Sequence, residues 1–252
     1  MGLPCTRKEN GVGWGLTLYP EAREASGTFR ATIDTWEHRQ GVVGESRNPE
    51  RSQAVAAGRA VTKARRYCAA NRLNRLGTLT YPGEGCHDPM ELRSDLASFF
   101  RNLRTACGGD PFPYLWVPEW HKTDHGLHAH FALGRYVQRS RIKDAWGPGF
   151  VHIKLLGGLP VGSGALQEAR KAAGYLSKYV GKDFDHEHLA GLHRYEVAQG
   201  FQPRTLKVMA RKLSDAIDLA STEMGGPPAK VSTSDEWPNW SGPSAVALSW
   251  AS

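Results

Sequence analysis

No stretch of this chain is apolar for long enough to cross a bilayer, and the first twenty residues, Arg7, Lys8 and Glu9 among them, lack the short apolar segment of a secretory signal. The expected location is the cytoplasm, with no membrane partner. Cysteine is scarce and scattered: Cys5, Cys68, Cys86 and Cys107 form no Cys-x-x-Cys pair and no regular framework, so neither a structural zinc nor a disulfide scaffold is indicated. Reduced, mostly buried thiols are expected instead. There is no internal repeat, and no Gly-x-x-x-x-Gly-Lys-Ser/Thr loop, which removes a nucleotide-driven motor of the P-loop type. Positive charge, by contrast, is in surplus. A net charge of +7 and a pI near 9.3 fit a polyanionic partner, because each neutralised phosphate releases counterions.

With 252 residues, 40% of them hydrophobic, the chain can fill one core. Residues 1–220 read as a single domain. From about Thr222 onward, Gly-Gly-Pro-Pro, serines and isolated tryptophans without periodicity read as a disordered tail over residues 221–252. Within the domain, β-like stretches at Gly15 to Tyr19 and Thr28 to Trp36 precede a Gly-rich loop. Asn48-Pro49 then offers an N-cap and a proline at the first helical position, and the alanine- and arginine-rich run to about Asn71 continues that helix. Its Arg59, Lys63, Arg65, Arg66 and Arg72 form either a DNA-facing or a solvated basic face.

Leu76-Gly-Thr-Leu-Thr80 alternates as a strand, with Thr78 and Thr80 on one face. Asp88-Pro89 opens a second helix, whose Leu92, Leu96, Phe99, Phe100 and Leu103 recur at helical spacing toward a core. A hairpin follows, then a short helix from about Gln138 to Trp146, a strand from Phe150 to Leu155 and a helix from about Ala165 to Lys182. Strands and helices intermix with mostly antiparallel pairing, which makes the fold class α+β.

The hairpin carries Glu119-Trp-His-Lys-Thr-Asp-His-Gly-Leu-His128-Ala-His130. At a period of two, Glu119 shares a face with Leu115 and Val117, while Leu127, Ala129, Phe131 and Leu133 leave His128 and His130 on the opposite side of the returning strand. If the apolar faces coincide, Glu119 lies across from His128 or His130, and a one-residue slip would break the arrangement. Two imidazoles and one carboxylate with open positions suit Mn²⁺ or Mg²⁺ in polarising a phosphoryl group; zinc, which imidazole also binds, ranks behind them. His121 and His125 flank the site as further ligands, DNA contacts or solvated turn residues.

On the last helix, Tyr175, Lys178, Tyr179 and Lys182 fall, with Glu168 and Lys171, within an arc of about 100°, beside an apolar arc of Leu166, Ala169, Ala172, Ala173, Leu176 and Val180. Tyr175 precedes Lys178 by three residues, as Tyr179 precedes Lys182, so each phenol meets a lysine at the surface. A phenol with a pKa of about 10 needs such help to act as a nucleophile.

These residues resemble the HUH endonucleases, specifically the rolling-circle replication initiators (Rep proteins). Leu76 to Thr80 resembles their first motif, His128-Ala-His130 the second, and Tyr175-Leu-Ser-Lys-Tyr179-Val-Gly-Lys182 the third, with the tyrosines after the histidines as in Rep proteins. The paired tyrosines are most similar to the microvirus A-protein type. The resemblance implies a central antiparallel sheet carrying the metal histidines, flanked by helices, and implies Tyr179 and Tyr175 as nucleophiles supported by Lys178 and Lys182. It also implies cleavage of single-stranded or cruciform origin DNA, a 5′-phosphotyrosine link, a free 3′-hydroxyl that primes synthesis, and later religation. A separate helicase and DNA polymerase would complete the machinery. A two-tyrosine transposase would use the same site; a non-catalytic DNA-binding regulator would lack a ligand or nucleophile, and here none is missing.

Overall fold

The computed structural model describes residues 12–31, 49–147, 149–154, 156, 159, 164–182, 192–238 and 240–251. The chain divides into two compact units, one formed by Ser46–Pro203 and the other by Met1–Glu45 together with Arg204–Ser252. Among the described residues, no helix is long and apolar enough to cross a membrane.

The unit formed by Ser46–Pro203 has a five-stranded antiparallel sheet covered by helices on both faces. Its strands are β3 (Arg75–Thr80), β4 (Tyr114–Trp120), β5 (Leu127–Leu133), β6 (Phe150–Lys154) and β7 (Glu196–Val197), in the order β6-β3-β5-β4-β7. On one face, α2 (Pro89–Ala106) and α3 (Arg139–Trp146) bury Phe99, Leu103, Ile142 and Trp146 against Leu79, Trp116, Leu127, Phe131 and Val151. On the other, α1 (Pro49–Ala70) and α4 (Ala165–Lys182) bury Ala64, Tyr67, Ala172, Leu176 and Val180 against Leu76, Leu115, Val117 and Ala132. This is the α+β architecture expected from the sequence, with a central antiparallel sheet carrying His128 and His130. The second face is not solvated either. Two helices cover it, and every residue of β5 is buried.

Local signals explain these elements. Asp88 caps α2 by accepting a hydrogen bond from the Met90 amide at 2.8 Å, with Pro89 in the first turn. Gly77 is required in β3 because a Cβ there would lie 2.4 Å from Phe131 Cζ and 3.0 Å from the His152 carbonyl. The segment after α4 also has a structural role. β7 pairs with Leu115 and Trp116 of β4, while Asn71 Nδ2 holds the Phe201 carbonyl at 3.0 Å and the Tyr67 hydroxyl holds that of Ala198 at 3.3 Å. The edge of β4 is thereby covered over Tyr114, Leu115 and Trp116. Burial raises the Cys68 thiol to about 12, so it stays protonated and inert. Asn48, the expected cap of α1, and the expected strand beyond Ala31 lie outside the described residues.

The other unit corrects the single-domain reading and the disordered tail. Its sheet runs β8-β1-β2-β10-β9, all antiparallel, from β1 (Gly13–Tyr19), β2 (Glu24–Arg30), β8 (Leu206–Ala210), β9 (Lys230–Thr233) and β10 (Ala245–Ser249). Helix α5 (Leu213–Met224) packs Ala216, Ala220 and Met224 onto Leu16, Leu18, Ala25, Val246 and Leu248. β10 lies between β2 and β9, inside the sheet rather than beyond it. The tryptophans that looked isolated are tied down: Trp250 Nε1 donates to the Gly226 carbonyl and Trp237 Nε1 to Ser232 Oγ, each at 2.7 Å. Residues 221–252 read as disorder because β10 is short, flanked by Gly and Pro, and finds its partner more than two hundred residues earlier.

Truncation after Ala220 should therefore make residues 12–31 protease-sensitive while leaving residues 49–147 protected, as read by limited proteolysis with mass spectrometry. Removal of a disordered tail would leave both protected.

Candidate active site

The hairpin of β4 and β5 sets the site by register. Glu119 pairs opposite His128 and Val117 opposite His130, while Trp116 pairs with Phe131 on the reverse face. Of the two positions left open by sequence alternation, Glu119 thus takes the one across from His128. All three side chains are buried and converge at their tips. Glu119 Oε2 lies 2.9 Å from His128 Nε2 and 2.8 Å from His130 Nε2, and the two nitrogens are 3.1 Å apart.

Three ligand atoms this close form a group able to hold a metal ion, and among the described residues this is the one such cluster. The chemistry of the donors fits a cation. His128 Nδ1 is buried with no hydrogen-bond partner among the described residues. A proton on that nitrogen leaves the Nε2 lone pair facing a carboxylate and another imidazole, a concentration of electron density that a divalent ion would offset. His130 is oriented from behind, since its Nδ1 lies 3.0 Å from Thr78 Oγ1 of β3, the residue opposite it in register. Sequence alternation put Thr78 and Thr80 on one face, but the bond of Thr78 to His130 needed the pairing of β3 with β5.

Helix α4 brings the tyrosines to this group. The Tyr179 ring stacks on His130, with centroids 3.8 Å apart and planes 23° from parallel. Tyr175, one turn earlier, meets His130 edge-on at 6.2 Å and accepts a hydrogen bond of 2.7 Å from the Tyr179 hydroxyl. Burial raises the Tyr179 phenol above its ordinary pKa, and the hydrogen bond to Tyr175 and the charges of Tyr175 and Glu119 add to the effect. Without a counter-charge the phenol is protonated at neutral pH.

An open cleft of about 420 Å³ is lined by Glu119, Trp120, His121, Lys122, His128, Lys178 and Tyr179. Lys178 is exposed at its rim. Lys182 occupies the last position of α4, and its side chain lies outside the described residues. His121 reaches the cleft, with its Nδ1 2.6 Å from Thr123 Oγ1, whereas His125 turns away to the Tyr81 carbonyl at 3.0 Å. Neither joins the metal group. Sequence spacing missed one lysine: Lys154 of β6 places its Nζ 4.5 Å from the centroid of the Tyr175 ring.

Residues 74–184 match the family model described as replication-associated protein ORF2/G2P. No curated protein and no solved structure matches the chain. The matched stretch contains Thr78, the group of Glu119, His128 and His130, both tyrosines of α4 and its Lys178 and Lys182, and it supports a replication-associated protein.

Replacing Thr78 with valine keeps the shape of the side chain and removes the oxygen facing His130. It should weaken Mn²⁺ binding by about 10- to 100-fold, measured by calorimetric titration, with little change in melting temperature.

Proposed function

We propose that this protein is a replication initiator that nicks single-stranded origin DNA through a tyrosine and later rejoins it, as in rolling-circle replication of a plasmid or phage. The observation that carries the reading is the stacking of Tyr179 on His130, which puts a phenol and a buried three-donor group in one open cleft. Phosphoryl transfer needs a positioned nucleophile and stabilisation of charge, and the cleft has the residues for both.

Tyr179 Oη is the first nucleophile. It forms a bond to the scissile phosphorus as the bond from phosphorus to the 3′ oxygen breaks; the phenol proton ends on that oxygen, leaving a 5′-phosphotyrosine and a 3′-hydroxyl. A divalent cation held by Glu119, His128 and His130 would supply polarisation of the phosphate. Its preferred identity is Mn²⁺ or Mg²⁺.

Lys178, exposed at the rim of the cleft, braces the phosphate or the growing phenolate charge, and Lys182 is assigned the same task by its spacing. Tyr175 is the second nucleophile, able to take a newly made origin while Tyr179 holds the old end. The linkage conserves the energy of the cleaved bond, so closure of a circle needs no nucleotide. The 3′-hydroxyl primes a separate polymerase, and a separate helicase opens the duplex.

Incubation of a labelled origin-like single-stranded oligonucleotide with the protein and Mn²⁺ should give a band that survives denaturation with detergent. The Tyr175→Phe, Tyr179→Phe double variant should abolish it; tight binding without the band in the wild type would overturn the reading. Glu119→Ala should lower the covalent yield by at least about 100-fold, in keeping with the several kcal/mol that a metal ion contributes to charge stabilisation, while leaving DNA affinity nearly unchanged. Equal loss of both would make Glu119 structural.

A further inference from the structure

We propose that strand β6 is a track for single-stranded DNA, continuous with the cleft; this rests on the reading of the cleft as a site for such DNA. Among the described residues, β6 is the edge of its sheet and pairs with β3 alone. Its two faces differ sharply. Val151 and Ile153 pack into the core under α2 and α3, whereas Phe150, His152 and Lys154 are exposed on the opposite face, the one that carries the metal group.

The register fixes where these three fall. Phe150 pairs with Thr80, Thr80 with His128 and His128 with Glu119; one row further along, His152 pairs with Thr78 and Thr78 with His130. Phe150 and His152 thus each end a row whose interior holds part of the metal group. Lys154 ends the next row, and its ammonium lies over Tyr175, between β6 and α4. Cleft residues Trp120, His121 and Lys122 lie on the hairpin side of the group, so the sheet offers a path from β6 across the threonines to the cleft.

The occupant is identified by chemistry. A single exposed apolar side chain needs no explanation, but Phe150, which is 67% exposed, stands with an imidazole and an ammonium at alternate positions of one edge strand. Rings that stack on bases, beside cations that meet phosphates, are how unpaired strands are bound without sequence preference. A duplex keeps its bases stacked on one another and offers an exposed ring nothing to stack on. The charge agrees, since 22 of the 32 lysines and arginines but only 14 of the 25 acidic residues lie within Ser46–Pro203, giving this unit +8 and the rest of the chain −1.

The test is fluorescence anisotropy of the full chain in EDTA with a fluorescein-labelled, mixed-sequence single strand of about 16 nucleotides. Phe150→Ala should weaken binding by about 5- to 150-fold, the equivalent of one stacked base, and Phe150→Trp should restore it. Lys154→Met should lower the slope of log affinity against log salt by about 0.7, one phosphate contact on a single strand. Both positions are exposed, so melting temperatures should match the wild type. Wild-type affinity and slope in both loss variants would overturn the track, as would an equal loss of affinity for the matching duplex. Covalent adduct formation with Mn²⁺, measured in parallel, separates the two readings. An adduct with Phe150-insensitive binding defeats the track alone; Phe150-sensitive binding with no wild-type adduct defeats the nicking and leaves the track.

Discussion

The pairing register between β4 and β5 is the constraint on which the site depends. Trp116 against Phe131 on one face and Glu119 against His128 on the other are two aspects of the same alignment. Both faces are buried, so a slip of β4 by one residue along β5 would drive Trp116 toward α4 and bring the Glu119 carboxylate into the aromatic core under α2 and α3, away from the imidazoles. Burying an unpaired carboxylate there costs several kcal/mol. Hydrophobic packing therefore holds the polar group in alignment.

A second consequence of covering both faces is that the polar group lies under a helix. Helix α4 keeps its apolar stripe, Ala172, Leu176 and Val180, on the sheet, and the same rotation directs Tyr175 and Tyr179 to His130. Helical spacing places the tyrosines one turn apart, and their hydroxyls meet at 2.7 Å. The two phenols are not equivalent. Tyr179 lines the cleft, while Tyr175 accepts its hydrogen bond and is flanked by Lys154.

Much of this was legible in the sequence because its causes are local. Pro89 after Asp88 marks the start of α2, and the alternation in Leu127 to Leu133 separates two faces. The apolar arc from Leu166 to Val180 fixes which side of α4 packs on the sheet. The alternation did not say that both faces are covered, because a helix arriving from 165–182 leaves no trace within a seven-residue strand. Thr78 and Lys154 were missed as neighbours of the site for a related reason. Each acts across a strand pairing, β3 with β5 and β6 with β3, that no sequence spacing encodes. The five-stranded sheet of the other unit is the extreme case, since β2 and β10 are far apart in the chain and each is unremarkable by itself.

That last pairing bears on how the molecule is made. At ordinary synthesis speeds, on the order of ten seconds or more pass between the emergence of Arg30 and that of Ala245. All of Ser46–Pro203 leaves the ribosome in this interval, free to fold around its own nearby contacts. The first hairpin, β1 with β2, must meanwhile wait with an open edge and an uncovered apolar face. The unit formed by Ser46–Pro203 can be ready first, and the growing chain is most exposed to aggregation at the edge of β2 that awaits β10.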